Sequence, residues 1–315
     1  MIANTRRSGF PLLVLLSLFF ALLISGCGKS GSAGGGKDIN DPGHPRTSTL
    51  NVLVPDPAGT TVYGNDFAAV DASNTSEGYV MVQYKGTSTK VKLQITTPDA
   101  TVYSYSLSVG DYATFPLSGG SGSYHLDVLE NAYDDLYAIV FSQDMDVTIS
   151  DEFKPFLYPN QYVWFTPDSK AVAKTGELSD QSSSDLGYVQ SVYEYVIKNI
   201  SYDTKKAEDI PTNYIPDIDE TLSSGKGICF DYASLMSAML RCQGIPTRLE
   251  VGYSGEAYHA WISVYLKESG WVDNIIEFDG SSWSLMDPTL GANNKSSSVK
   301  KYIGDGSNYT VKYTY

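Results

Sequence analysis

Cysteine is scarce in this chain: three occur in 315 residues, at positions 27, 229 and 242. Cys229 and Cys242 fall in one helical pattern thirteen residues apart, which is roughly 20 Å at helical rise. A disulfide needs Cα atoms within about 7 Å, so these two cannot pair within one molecule. Basic residues are also short, 22 Lys and Arg against 36 Asp and Glu, for a formal charge of −14. No basic run offsets that balance, and an acidic surface repels phosphate backbones and anionic lipid headgroups, which excludes nucleic acid as a partner. The long apolar run, Phe10 to Ile24, is short for a membrane span.

That run has the features of an export signal over residues 1–26. Arg6 and Arg7 precede it, no acid occurs before Cys27, and Ser25-Gly26 follows it. The ending Ile24-Ser25-Gly26-Cys27 resembles the lipobox of bacterial lipoproteins. The resemblance implies that Cys27 becomes the lipid-modified first residue of a chain held on the extracytoplasmic face of a bacterial membrane. Cleavage there removes two arginines and no acid, moving the formal charge from −14 to −16. A Gly/Ser-rich tether is expected over residues 27–48.

From Leu50 the pattern turns to short β-rich runs separated by Gly, Pro, Asp and Asn: Leu50–Val54, Tyr79–Tyr84, Val91–Thr96, Thr101–Leu107, Ala113–Phe115, Tyr124–Leu129, Tyr137–Phe141 and Val147–Ile149. This spacing predicts an antiparallel β-sandwich over residues 49–152. The segment Gly122-Ser123-Tyr124-His125-Leu126 also resembles the tyrosine corner of immunoglobulin-like domains. His125 alternates with strand neighbours and reads as a surface or half-buried side chain, and the many tyrosines read as packing residues. Residues 153–183 form a connector with Pro155, Pro159 and Trp164, ending in a short helix capped by Asp168. The remaining stretch, 184–315, reads as a second, α+β domain. It opens with a helix after Asp185, followed by Ser201–Ser224, which shows no sustained period. A helix from Cys229 then ends at Gly244-Ile245-Pro246. Strands follow at Thr247–Tyr253, Tyr258–Leu266, Trp271–Phe278 and Ser282–Met286.

The chemistry concentrates at Gly225-Lys226-Gly227-Ile228-Cys229. A thiol in the first turn of a helix lies near unpaired N–H groups and the positive end of the dipole, which favour thiolate. Cys242, late in the same helix beside Met239 and Leu240, reads as core. Thiol chemistry needs a base. With His44 in the tether and His125 in the other domain, His259 is the candidate, placed by period two on one accessible strand face with Trp261. The carboxylate that orients the imidazole could be Asp287, at a strand end before Pro288, or Asp273; Asp279, before Gly280, reads as a turn residue.

Gly227-Ile228-Cys229, Gly244-Ile245-Pro246, Gly252-Tyr253, His259-Ala260-Trp261 and Asp287-Pro288-Thr289 together resemble the core of the transglutaminase-like superfamily, over roughly Ser184 to Leu290. The resemblance implies a papain-like arrangement in which Cys229 is nucleophile, His259 general base and acid, and Asp287 the orienting carboxylate. It implies no cofactor, and no calcium-ligand cluster of the eukaryotic transglutaminases accompanies it. The expected activity is acyl transfer from peptide or side-chain amides of peptides and proteins, including cell-wall or surface proteins, with hydrolysis favoured over transamidation. Two other readings use the same residues. One is a surface binding or adhesion protein with an idle papain-like scaffold; the other is a zinc site at Cys229, His259 and Asp287, which lacks paired ligand spacing to seed it.

Overall fold

The computed structural model describes residues 49–267, 270–273, 276–278, 283–285 and 309–315, with 276–278 and 283–285 described by their backbone. Cys27 and Asp287 lie outside the described residues.

Eight strands come first: β1 (Val62–Gly64), β2 (Ala68–Asp71), β3 (Tyr79–Tyr84), β4 (Val91–Thr96), β5 (Val102–Leu107), β6 (Ala113–Pro116), β7 (Gly122–Tyr133) and β8 (Leu136–Val147). They pair antiparallel in two four-stranded sheets, ordered β1-β2-β3-β6 and β5-β4-β7-β8. Period-two alternation sets which face is covered: Val91, Leu93 and Ile95 of β4 are buried while Lys92, Gln94 and Thr96 are only half so. Val80 and Val82 from one sheet join Leu93, Ile95, Leu126 and Val128 from the other in a single apolar core. The Tyr124 ring is buried in it, and its hydroxyl donates to the carbonyls of Gly120 at 2.7 Å and Leu117 at 3.1 Å.

Several expectations for this half change. Leu50–Val54 forms no strand, whereas β1 and β2 do form from Val62 and Ala68. The run at 137–141 lies within a twelve-residue strand, β8, hairpinned to β7, which extends to Val147 and takes up only the first residue of the run expected at 147–149. The tyrosines mostly pack: Tyr105 is buried against Phe115 at 4.8 Å and Tyr162 at 5.6 Å between ring centroids. His125 stands half-exposed on β7, its Nδ1 2.6 Å from Asp144 and its Nε2 3.2 Å from Asp127. The Asp144 hydrogen bond is the main cause that raises its pKa above the ordinary value.

The core continues through Val163 and Phe165 into the second half. There α1 (Lys170–Ser179) and α2 (Asp185–Asn199) lead to β9 (Ser201–Tyr202), α3 (Thr204–Glu208), α4 (Ile218–Ser224) and β10 (Lys226–Gly227). After them come α5 (Cys229–Arg241), β11 (Thr247–Ser254), β12 (Ala257–Leu266), β13 (Gly270–Val272), β14 (Ile276–Phe278), β15 (Trp283–Leu285) and β16 (Tyr309–Thr314). Strands β13-β12-β11-β16 make an antiparallel sheet, and β14 pairs with β15. The stretch 201–224, expected to be loop, holds two short helices and a strand. Neither helix is long enough to show a hydrophobic period. Asp217 caps α4, accepting from the N–H groups of Asp219 and Glu220. Asp168 does not cap α1. Its first N–H groups, at Lys170 and Ala171, donate instead to the Asp219 carboxylate of α4.

Candidate active site

Helix α5 is the central element, buried from Asp231 through Arg241. Leu235, Met236, Met239 and Leu240 face the apolar core, and its polar residues are largely matched by partners. Ser234 donates to the Tyr162 carbonyl at 2.6 Å. The Arg241 guanidinium donates to the carbonyls of Tyr158, Thr247 and Tyr315 at 2.7–3.0 Å, while burial pulls its pKa down to about 9. Those bonds tie the C-terminal end of α5 to the connector and to the sheet. Cys242 follows, fully buried, its thiol within 3.4 Å of the Thr175 hydroxyl and the Met239 carbonyl, as the sequence indicates for a core residue.

The opposite end of α5 is fixed by Asp231, which is itself 0 % exposed. Its carboxylate accepts from the backbone N–H of Ile228 at 2.8 Å, the residue that precedes the helix. It also accepts from Lys206 Nζ at 2.7 Å and from the Tyr214 hydroxyl. Three donors thus offset the cost of burying one carboxylate. They also bind α3 and the segment after it to the first turn of α5. The base of this excursion is closed by the parallel β9–β10 pair, Ser201 with Lys226 and Tyr202 with Gly227. Gly227 is required there: a Cβ at that position would lie 2.8 Å from Asp231 Cβ. The sequence reading missed Asp231, Lys206 and Tyr214. An acid at the third position of a helix was a visible signal for the first of them.

Cys229 is the first residue of α5, free and half-buried. At that position its N–H has no intrahelical acceptor. Aromatic rings crowd the turn: Phe230 packs against Tyr162 at 5.2 Å and edge-on to Tyr214 at 6.5 Å. The Tyr258 phenol pKa is raised chiefly by burial and in smaller part by the charges of Tyr313, Tyr253 and Cys229. Helix α5, which Cys229 opens, packs against β12, the strand that carries His259.

His259 is half-buried on β12, opposite Gly252 of β11. Its ring and that of Trp261 stack at 6.3 Å and 30°, so both occupy one face as period two requires. That face is not accessible as expected. Trp261 is 1 % exposed, covered in part by Tyr309 at 4.9 Å. Beneath it, buried Glu250 accepts from Trp261 Nε1 at 2.8 Å and from Ser263 Oγ at 2.7 Å. Burial raises the Glu250 pKa, against the lowering effects of the Ser263 bond, Arg248 and the Trp261 bond. The other face of β12, with Ala260, Ile262 and Val264, packs on α5. Gly252 lets β16 approach, because a Cβ there would stand 2.0 Å from the Thr310 carbonyl oxygen.

Asp273 directly follows β13, whose Val272 pairs with Val264. Continuing that register sets it opposite Ser263, four residues from His259, or roughly 13 Å along the strand. Its charge acts on Arg248 and Glu250, raising the pKa of each. Asp279 and Asp287 fall outside the described residues.

Residues 172–274 match the family model described as the transglutaminase-like superfamily. The protein YebA of Bacillus subtilis is 32 % identical over 116 residues, which are 30 % of this chain and 16 % of YebA. The mouse protein named kyphoscoliosis peptidase is 26 % identical over 138 residues, 40 % of this chain and 19 % of that protein. The chain thus spans less than a fifth of the length of these relatives. Among solved structures, the periplasmic domain of TgpA from Pseudomonas aeruginosa aligns with a TM-score of 0.34 at 14 % identity, over 77 % of this chain and 99 % of that one. The red sea bream transglutaminase aligns with a TM-score of 0.27 at 13 % identity, over 71 % of this chain and 53 % of that one. The chain carries, at residues 172–274, a transglutaminase-like domain.

Proposed function

We propose that the chain is a thiol enzyme that acts on peptide or side-chain amides through a cysteinyl acyl-enzyme. Cys229 Sγ attacks the amide carbon while His259 takes the thiol proton, and the Cys229 N–H donates to the developing oxyanion. A C–S bond forms, the C–N bond breaks, and the imidazole returns the proton to the departing amine. Water, deprotonated by the same imidazole, then cleaves the thioester and restores the thiol. An amine in place of water gives the transamidated product, and hydrolysis is favoured because water needs no dedicated amine site. Asp287 orients His259 through its second nitrogen.

One observation carries the reading. Of the two thiols among the described residues, Cys242 is sealed in the core, while Cys229 is half-buried at the start of the helix that packs on β12, the strand carrying His259. The family match supports it, as does the printed name of the mouse relative, a peptidase. We place the enzyme on the extracytoplasmic face of a bacterial membrane through a lipid on Cys27, with cell-wall or surface proteins as substrates. Residues 49–152 would be an immunoglobulin-like sandwich, a reading supported by the Tyr124 hydroxyl bonded to Gly120 and Leu117.

The test incubates wild type and Cys229→Ala with peptidoglycan fragments and surface-protein peptides, with and without an added amine, and reads products by mass spectrometry. Wild type should give hydrolysed products and, with amine, a smaller transamidated fraction; Cys229→Ala should give neither. Equal product from both proteins would overturn the proposal.

A further inference from the structure

Ile228, the residue before the thiol, is held at both ends of its backbone. Its carbonyl accepts from the Tyr232 N–H at 3.0 Å, the first hydrogen bond of α5. Its N–H donates to Asp231 Oδ2 at 2.8 Å. Between these two bonds the backbone is extended, with φ −101° and ψ 178°. A trans peptide points its N–H opposite to its carbonyl. Because the Ile228 carbonyl is turned along α5 toward Tyr232, the Cys229 N–H points out of the helix start, where no intrahelical carbonyl reaches it.

The oxygen that holds Ile228 is shared with a cation. Lys206 Nζ donates to the same Asp231 Oδ2 at 2.7 Å. The Tyr214 hydroxyl donates to the other oxygen and accepts from Lys206 Nζ at 2.6 Å. Asp231 is fully buried, whereas Lys206 reaches it from α3 and remains partly exposed. A buried carboxylate keeps its charge only while a cation and donors match it. A charged acceptor also holds an N–H about twice as strongly as a neutral one. Without the ammonium, Asp231 takes up a proton or draws in water, and either change loosens its bond to Ile228.

A hydrogen bond to a developing oxyanion speeds reaction only in the transition state, and its worth depends on its aim. We infer, resting on the acyl-transfer reading, that Lys206 is a positioning residue: through Asp231 and Ile228 it holds the Cys229 N–H where the oxyanion forms. Lys206 itself does not touch the substrate in this role.

The role separates two reactions of one thiol. With p-nitrophenyl acetate, Sγ adds to the ester carbonyl through a tetrahedral oxyanion while the thiol proton passes to His259. A C–S bond forms, the acyl C–O bond breaks and p-nitrophenolate leaves. With iodoacetamide, Sγ displaces iodide directly and no oxyanion forms. A less ionised or less accessible thiol slows both reactions; a misaimed N–H slows only the first.

The test measures both rates on the full chain in wild type, Lys206→Met and Tyr214→Phe. Acylation is followed by first-turnover p-nitrophenolate release against a Cys229→Ala blank, and alkylation by peptide mass spectrometry at Cys229. In Lys206→Met acylation should fall at least roughly tenfold relative to alkylation. Tyr214→Phe leaves the ammonium in place, so the ratio should fall by only about threefold. A ratio within about a factor of two of wild type in Lys206→Met, including equal slowing of both reactions, would overturn the inference. If Lys206→Met does not fold, Tyr214→Phe decides: a fall of about threefold supports the role and an unchanged ratio overturns it. Wild-type Cys229 reacting no faster than Cys242 with either reagent would instead overturn the acyl-transfer reading, and this role with it.

Discussion

Tyr214→Phe is the sharpest perturbation of the device that holds the first turn of α5. The substitution keeps the ring packed edge-on against Phe230 and deletes only the hydroxyl. That hydroxyl donates to the Asp231 carboxylate and accepts from Lys206 Nζ at 2.6 Å. Asp231 is fully buried, so no water replaces the lost donor; Lys206 is 32 % exposed, so its own loss is largely rehydrated. A hydrogen bond to a charged group is worth about 1.5–3 kcal/mol, so stability should fall by that amount. In a protein of this size, at about 2 °C per kcal/mol, it amounts to a Tm drop of roughly 3–6 °C. Urea denaturation followed by tryptophan fluorescence reads the loss. A double-mutant cycle with Asp231→Asn should show coupling of about 1 kcal/mol or more. A loss below about 0.5 kcal/mol, or two losses that simply add, would refute the view that Tyr214 acts through the carboxylate.

Other perturbations read other parts of the structure. Because burial raises the Glu250 pKa in the fold, the folded state holds its proton more tightly than the unfolded chain. Its share of stability is therefore full below the ordinary value of 4.5 and is lost as pH rises through the raised value, and Glu250→Gln should flatten that slope in pH-dependent denaturation. The His125 imidazole should titrate above 6.5 by NMR, and Asp144→Asn should bring it down, since the Asp144 bond is the main cause of its shift. Gly252→Ala should cost about 1–3 kcal/mol by driving a Cβ into the Thr310 carbonyl, and hydrogen exchange should show the β11–β16 pairing loosened.

Elements with long, clean periods were legible from sequence alone. Strands β3 and β4 and helix α5 begin where alternation or helical spacing begins, and Gly244-Ile245-Pro246 marks the end of α5. The place of Cys229 at the first turn of α5 was legible because two glycines precede it and helical spacing begins there. What the sequence hid depends on tertiary partners. The helices α3 and α4 are too short to display a period, and Asp219 of α4 holds the first N–H groups of α1 through a contact invisible in a linear pattern. Trp261 looked accessible because alternation tells which residues share a face but not what covers that face. Lys206, on α3, and Tyr214, in the segment after it, carry no signal in sequence; their partner Asp231 is set by the tertiary fold. Asp287 lies outside the described residues, and the orienting role proposed for it rests on the family resemblance.

The most direct measurement of the central claim is the rate at which iodoacetamide labels each thiol, followed residue by residue in peptide digests of the folded chain. Cys229 should be alkylated at least roughly tenfold faster than Cys242, well below pH 8, and His259→Ala should slow labelling at Cys229 alone. Equal, slow labelling of Cys229 and Cys242, or a Cys229 rate indifferent to His259, would contradict a thiol held ready beside an imidazole.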